Sequence, residues 1–258
     1  ICSRRLCETY EASFSTYYFK IKMQNELSIV LLQTNLIWKD KANNLSNLRQ
    51  LTDTINETVD IIMLPELFNT AFCIDDLSLA EDANGETIKF LKSISAEKNC
   101  AVCGSFLFNE NDKVYNRFFC VAENEIKYHY DKHYLFSLVG EDKLLTKGVE
   151  KIILDYKGWK IQPFICYDIR FPAWCQNDDN ADLQIYVASW PQKRIHHWQT
   201  LLQARAIENQ CYTAGVNRIG SDFYGNAHNG HSSVYDFTGN KICDMQAKNG
   251  IEIVKISK

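Results

Sequence analysis

Short apolar runs recur along this chain, each closed by a polar or turn-forming residue, and they constrain its fold more than any other feature. The first, LSIVLLQTNL (residues 27–36), reads as a strand buried on both faces. NNLSNLRQLTDTINETV (43–59) follows with apolar residues at helical spacing, and VDIIMLPELF (59–68) is a second buried strand, so the chain opens β-α-β. A helix over about 85–98 starts after Asn-Gly and ends near Asn99. CAVCGSFLF (100–108) then turns through NENDK into VYNRFFCVA (114–122) as a hairpin. GWKIQPFICYD (158–168) and ADLQIYVASWP (181–191) are further strands, and IHHWQTLLQARAIENQC (195–211) is the clearest helix. YTAGVNRIG (212–220), HSSVYDFTGNKICDM (231–245) and GIEIVKIS (250–257) complete the series as strands. Alternating strands and helices predict an α/β fold with helices covering a sheet, and the late strands predict a mixed sheet or a second sheet packed on the first.

With 258 residues, 46% hydrophobic and 23% charged, the chain can bury one large core, and one domain is expected. Residues 1–22 read as an upstream extension outside the fold, and 23–258 as the single domain. The net charge of −4 and the absence of a basic run argue against nucleic acid as a partner. No apolar run approaches the roughly 18 residues of a membrane span, so no membrane partner is expected. The N-terminal stretch lacks the apolar core of a signal peptide. Ten cysteines in so long a chain without a signal read as reduced thiols, which predicts a cytoplasmic location.

Three apolar strands end in residues that could carry chemistry: Glu66 in IIMLPELF, Cys166 in PFICYD, and Trp190-Pro191 after IYVAS. Ligands of open α/β sheets bind beyond the carboxyl ends of strands, so these residues could converge. A cysteine needs a base to take its proton and a cation to hold the developing charge. Lys132, set among aromatic residues in YDKHYLF, is the candidate cation. Each of the three also has an ordinary reading: Cys166 as a small core residue, Glu66 as a loop carboxylate, Lys132 as a snorkelling side chain.

PELFNTAF, YDKHYLF and FICYDIRFP, in this order, resemble the Glu-Lys-Cys motifs of the nitrilase superfamily of carbon-nitrogen hydrolases. The segment from SWPQKRIHHW to the FTGNKI turn resembles its omega-amidase branch, and the likeness runs from about residue 26 to the end. The resemblance implies a four-layer αββα sandwich that dimerises, and hydrolysis of the terminal amide of small 2-oxo acid amides without metal or organic cofactor. It makes Cys166 the nucleophile, Glu66 the general base and acid, and Lys132 the oxyanion stabiliser together with the Tyr167 N–H. Glu141, seven residues before Gly148, matches a second family glutamate that helps orient the lysine and the substrate. Asp168, Arg170 and Pro172 either form a plain polar turn or mount the sulfur, with Arg170 in a supporting ion pair. Arg194 is the candidate for a substrate carboxylate, because guanidinium binds carboxylate in a bidentate manner, with a solvated arginine as the alternative. Phe72, Trp190 and His197 are expected as pocket walls, and Arg205, Glu208 and Asn209 as a polar network beneath the site. Another aliphatic amidase or carbamoylase of the family is the nearest alternative. CYD in place of the CWE of true nitrilases argues against nitriles.

Two features depart from the family. Ala71 stands where a glycine is frequent, and the chain ends at Lys258, where relatives commonly continue onto a dimer partner, so either the C-terminus is truncated or that interface is trimmed. A reading from another class is a metal or redox module on Cys100 and Cys103 in CAVC. No second pair follows with zinc spacing, and the motif lies within a strand. His129/His133, His196-His197 and His228/His231 lack the H-E-x-x-H arrangement and read as loop or core histidines.

Overall fold

The computed structural model describes residues 25–258. The proposed extension, residues 1–22, lies outside them. In chain order the elements are β1 (Glu26–Gln33), α1 (Lys41–Asp53), β2 (Ile61–Met63), α2 (Glu86–Lys98), β3 (Ala101–Glu110), β4 (Lys113–Ala122) and β5 (Glu125–Asp131). Then come α3 (Glu141–Leu144), β6 (Leu154–Tyr156), β7 (Trp159–Ile165), α4 (Pro172–Cys175), β8 (Leu183–Val187) and α5 (Ile195–Asn209). The chain closes with β9 (Tyr212–Val216), β10 (Ile219–Ser221), β11 (Ala227–Asn229), β12 (Ser233–Tyr235), β13 (Lys241–Asp244) and β14 (Gly250–Ser257).

The strands form two six-stranded sheets, ordered β14-β1-β2-β3-β4-β5 and β13-β12-β9-β8-β7-β6, with β10 and β11 as a separate ribbon. Three central strands of each sheet run parallel, β1-β2-β3 in one and β7-β8-β9 in the other, and the outer pairings are antiparallel. The period-two rule sorts the first sheet's side chains between two layers. Leu27, Ile29 and Leu31 of β1, Ile61 and Met63 of β2, and Phe118 and Cys120 of β4 share a cluster with Ile161, Ile165 and Val187 of the second sheet. The alternate residues Val30, Leu32, Ile62, Val102, Phe119 and Val121 pack on Leu45 and Leu48 of α1 and on Ile88, Leu91 and Ile94 of α2. On the far side, α5 lies on β9. Gly215 makes this possible, since a Cβ there would come within 2.6 Å of both Trp198 and Leu202. Two sheets face to face with helices outside make four layers, as the resemblance implied.

Element bounds differ from the sequence reading for local reasons. α1 begins at Lys41, where the Asp40 side chain accepts the Asn43 N–H, and it ends at Asp53 rather than residue 59. There the Thr54 hydroxyl donates to the Leu51 carbonyl, a local bond that competes with the helical ladder. β2 stops at Met63 because Leu64 and Phe68 turn to donate to the carbonyls of Cys103 and Ser105 on β3. The run 212–220 splits into β9 and β10 at Asn217 and Arg218, and β5, β6 and β11 add three strands to those read from sequence. Cys100 and Cys103 fall in different clusters on opposite faces of the sheet, so three-residue spacing in an extended chain keeps them from sharing a metal or a disulfide. That geometry overturns the CAVC module. All eight described cysteines are free thiols, and among the described residues no group of three His, Cys, Asp or Glu could hold a metal ion. No helix of the described residues is long and apolar enough to cross a membrane.

Candidate active site

Four strand ends deliver the site. After β2, Leu67 and Ala71 take left-handed backbone, φ 47° and 57°, and this loop is anchored to β3 through the Ser105 hydroxyl, which accepts the Leu67 N–H at 3.1 Å. Glu66 is thereby turned inward and fully buried. Left-handed backbone is why glycine suits position 71; the alanine found there carries on the order of 1 kcal/mol of strain. After β7, Cys166 is itself left-handed, φ 46°, and starts a 3-10 turn over Cys166–Arg170. A non-glycine residue in that region is rare and marks a sharp, over-determined turn that lifts the thiol out of the strand line. Lys132 follows β5, and its N–H donates to the Asn116 carbonyl while its own carbonyl accepts the Gly148 N–H at 2.9 Å.

Lys132 Nζ lies 2.7 Å from Glu66 Oε1 and 3.1 and 2.9 Å from the two oxygens of Glu141, with all three side chains excluded from solvent. Asn116 on β4 donates one amide group to Glu66 (2.9 Å) and to Glu141 (3.2 Å). The Ser189 N–H, beyond β8, donates to Glu66 Oε2 at 2.9 Å, and the Phe136 N–H donates to Glu141 Oε2 at 2.6 Å. Every buried carboxylate oxygen is thus satisfied, as buried charge requires. Burial opposes charge on Lys132, yet Glu141, Glu66 and the Cys166 sulfur outweigh it and hold its pKa above the usual lysine range. The Cys166 thiol is pushed well above the ordinary range by burial first and by Glu66 second, with Lys132 and the Ser189 N–H pulling the other way. Cys166 therefore rests as a neutral thiol beside a carboxylate, an arrangement suited to general-base attack.

Asp168 ties the cysteine turn to the lysine strand. Its Oδ2 accepts the Tyr130 hydroxyl (2.8 Å) and the Ile165 N–H (3.0 Å), and its Oδ1 accepts the Tyr134 N–H (2.8 Å). Burial raises its pKa to about 6 against those three donors.

A cavity of about 280 Å³ opens onto Cys166 and Lys132. Phe72, Tyr167, Trp190 and Arg194 line it as expected, joined by Phe136, Leu138, Val139, Ser189, Lys193, Asp222, Asn226 and His228. Two expectations need correction. His197 is not on the wall; it stands behind Arg170, whose guanidinium donates to its Nδ1 at 2.9 Å. Arg170 has no ion pair among the described residues and instead covers the Trp190 ring, 4.9 Å from its centroid, while lining the cavity. Glu141 meets Lys132 through both of its oxygens and, like Glu66, sits behind the cavity surface, so it orients the lysine. Arg205 and Asn209 do form a polar network: Arg205 donates to the Ile169 carbonyl (2.8 Å) and pairs with Glu208, and Asn209 donates to the Cys175 carbonyl (2.9 Å). His133 is a packing residue, stacked on Trp174 with its Nδ1 2.7 Å from the Gly148 carbonyl. Asn116 escaped the sequence reading, though a lone amide within the apolar run VYNRFFCVA was its signal.

The profile of carbon-nitrogen hydrolases matches residues 28–258. The chain belongs to that family. This carbon-nitrogen hydrolase is 41% identical to the omega-amidase YafV of Yersinia enterocolitica, over 83% of this chain and 82% of the relative. It is 32% identical to the 2-oxoglutaramate amidase of Bacillus subtilis (strain 168), over 87% and 88% of the two chains. Among solved structures, the CN-hydrolase superfamily protein XC1258 of Xanthomonas campestris, which carries an arsenic adduct in its active site, superposes with a TM-score of 0.88 at 33% identity over 91% of both chains.

Proposed function

We propose that this carbon-nitrogen hydrolase is an amidohydrolase that cleaves the terminal amide of small 2-oxo acid amides such as 2-oxoglutaramate, releasing ammonia and the 2-oxo acid. The observation that carries the reading is the buried Glu66–Lys132–Glu141 constellation set against the Cys166 thiol at the floor of one cavity. Cys166 Sγ attacks the amide carbon as Glu66 takes the thiol proton, which spares the protein a free buried thiolate. The tetrahedral oxyanion is held by Lys132 Nζ and the Tyr167 N–H. Glu66 returns its proton to the departing nitrogen, and ammonia leaves a thioester on Cys166. Glu66 then takes a proton from water, whose oxygen attacks the thioester carbon, and gives it back to the sulfur as the acid departs. Asp168 positions both the cysteine turn and the lysine strand, and Arg194 receives the substrate carboxylate. Two further proposals go with this reading: a homodimer, supported by the family resemblance, and a cytoplasmic location, supported by the free thiols.

The test is ammonia release from a panel of amides, scored by kcat/KM, with Cys166→Ala and a chelator as controls. The expected result is preference for 2-oxo acid amides, abolished by Cys166→Ala and untouched by chelator. Full activity in Cys166→Ala would end the mechanism, and faster turnover of simple aliphatic amides would replace the substrate class.

A further inference from the structure

The mouth of the cavity is crossed by one side-chain bond. Lys193, in the segment leading into α5, donates from Nζ to Asn226 Oδ1 at 3.1 Å, and both residues line the cavity. Asn226 belongs to the loop between β10 and β11, a separate segment of the lining. Its amide orientation is forced. Asn226 Nδ2 donates to Asp222 Oδ2 at 2.8 Å, which leaves Oδ1 as the acceptor turned to the lysine. Among the described residues Asp222 is the only carboxylate on the lining, and its other oxygen is taken by the N–H groups of Tyr224 (2.9 Å) and Asn226 (2.8 Å). It therefore closes its own loop and pairs with none of the cations across the mouth.

Those cations are unbalanced. Lys132 is matched by Glu66 and Glu141, but Arg170, Lys193 and Arg194 line the same space and none has a carboxylate within ion-pair distance among the described residues. Arg170 is spent on His197 and Trp190, and Arg194 lies over the Phe136 ring, 5.4 Å from its centroid. Lys193 is the cation held at the rim by a single neutral acceptor. An ammonium has three donors, so two remain for a ligand.

We propose that Lys193, strapped to Asn226 across the mouth, is a specificity-determining residue that binds the free carboxylate of the substrate beside Arg194 while Cys166 engages the amide at the floor. This rests on the 2-oxo acid amide reading and extends it: the enzyme selects amides whose far end is anionic, and the strap sets where that end must lie. Asn226 acts through Lys193 as a positioning residue, and Asp222 through Asn226.

The experiment is steady-state kinetics of the wild type, Lys193→Met, Lys193→Arg and Asn226→Ala on 2-oxoglutaramate and on pentanamide, an uncharged amide of the same length. For Lys193→Met, KM for 2-oxoglutaramate should rise about three- to fivefold, the range of a solvent-accessible ion pair, with kcat little changed. KM for pentanamide should move less than about twofold. Lys193→Arg should restore the lower KM, Asn226→Ala should fall between, and added salt should raise the wild-type KM more steeply than that of Lys193→Met. Equal KM changes for the two substrates, or none for either, would overturn the proposal. If the wild type does not prefer 2-oxo acid amides, the broader reading fails by itself. The role of Lys193 is then decided by the same KM comparison between succinamate and butanamide.

Discussion

Replacing Glu141 by glutamine tests whether the second carboxylate is part of the machinery or only a buried counter-charge. Glu141 accepts four hydrogen bonds: two from Lys132 Nζ, one from Asn116 and one from the Phe136 N–H. A glutamine oxygen in the place of Oε2 keeps Phe136 and one contact to Lys132. The new NH2 group then stands where Oε1 accepted from Lys132 at 3.1 Å and from Asn116 at 3.2 Å, so donors face donors. Asn116 could turn its amide to accept, but it would then withdraw its donor from Glu66. Losing one partner of a buried ion costs about 3–5 kcal/mol, and the surviving 2.7 Å pair to Glu66 puts this case near the lower end, about 3 kcal/mol. For a chain of this size that lowers Tm by roughly 6–12 °C. Both Glu141 oxygens are already taken by protein donors, so KM should hold while a displaced ammonium reduces kcat by about 10²-fold. Thermal unfolding and a coupled ammonia assay on one preparation give both numbers. A full loss of Tm with kcat within fivefold of wild type would refute the catalytic part of the reasoning and leave Glu141 a structural group.

Asp168 predicts a pH dependence of stability. Its folded pKa, raised to about 6, lies above the 3.8 of a free aspartate, so the folded state binds more protons between these values and stability falls as pH rises through them. Relative to Asp168→Asn, the wild type should lose about 2 kcal/mol between pH 4 and pH 7; parallel stability curves for the two proteins would refute this. Gly148 packs flat beside the lysine strand, where a Cβ would lie 2.1 Å from the Asp131 carbonyl oxygen. Gly148→Ala should therefore shift Lys132 and cut kcat about tenfold or more, and unchanged kinetics would show that the strand has slack.

Much of the site was legible because its chemistry sits at strand ends. Apolar runs that close on Glu66 and Cys166 announce themselves in one dimension, and with the YDKHYLF segment around Lys132 they match a family order. His197 shows the limit: it follows a strand end in sequence, yet the first turn of α5 directs its ring to Arg170 rather than to the cavity. Arg170 shows another. Its acidic neighbour Asp168 is taken by Tyr130, Tyr134 and Ile165, so the ion pair suggested by proximity in sequence has no free acceptor.

Local sequence determined the element types, because those follow from periodicity within about ten residues, and its motifs, by their resemblance to a family, pointed to the candidate nucleophile, base and cation. Tertiary structure decided what depends on distance through space. It placed the strands in two sheets, put Cys100 and Cys103 on opposite faces of one of them, and brought Glu66, Asn116, Lys132 and Glu141 from separate segments into a single buried network. The physical reason is desolvation. Each of those charges would be untenable alone in the core, and only the closed fold supplies the partners that keep them there.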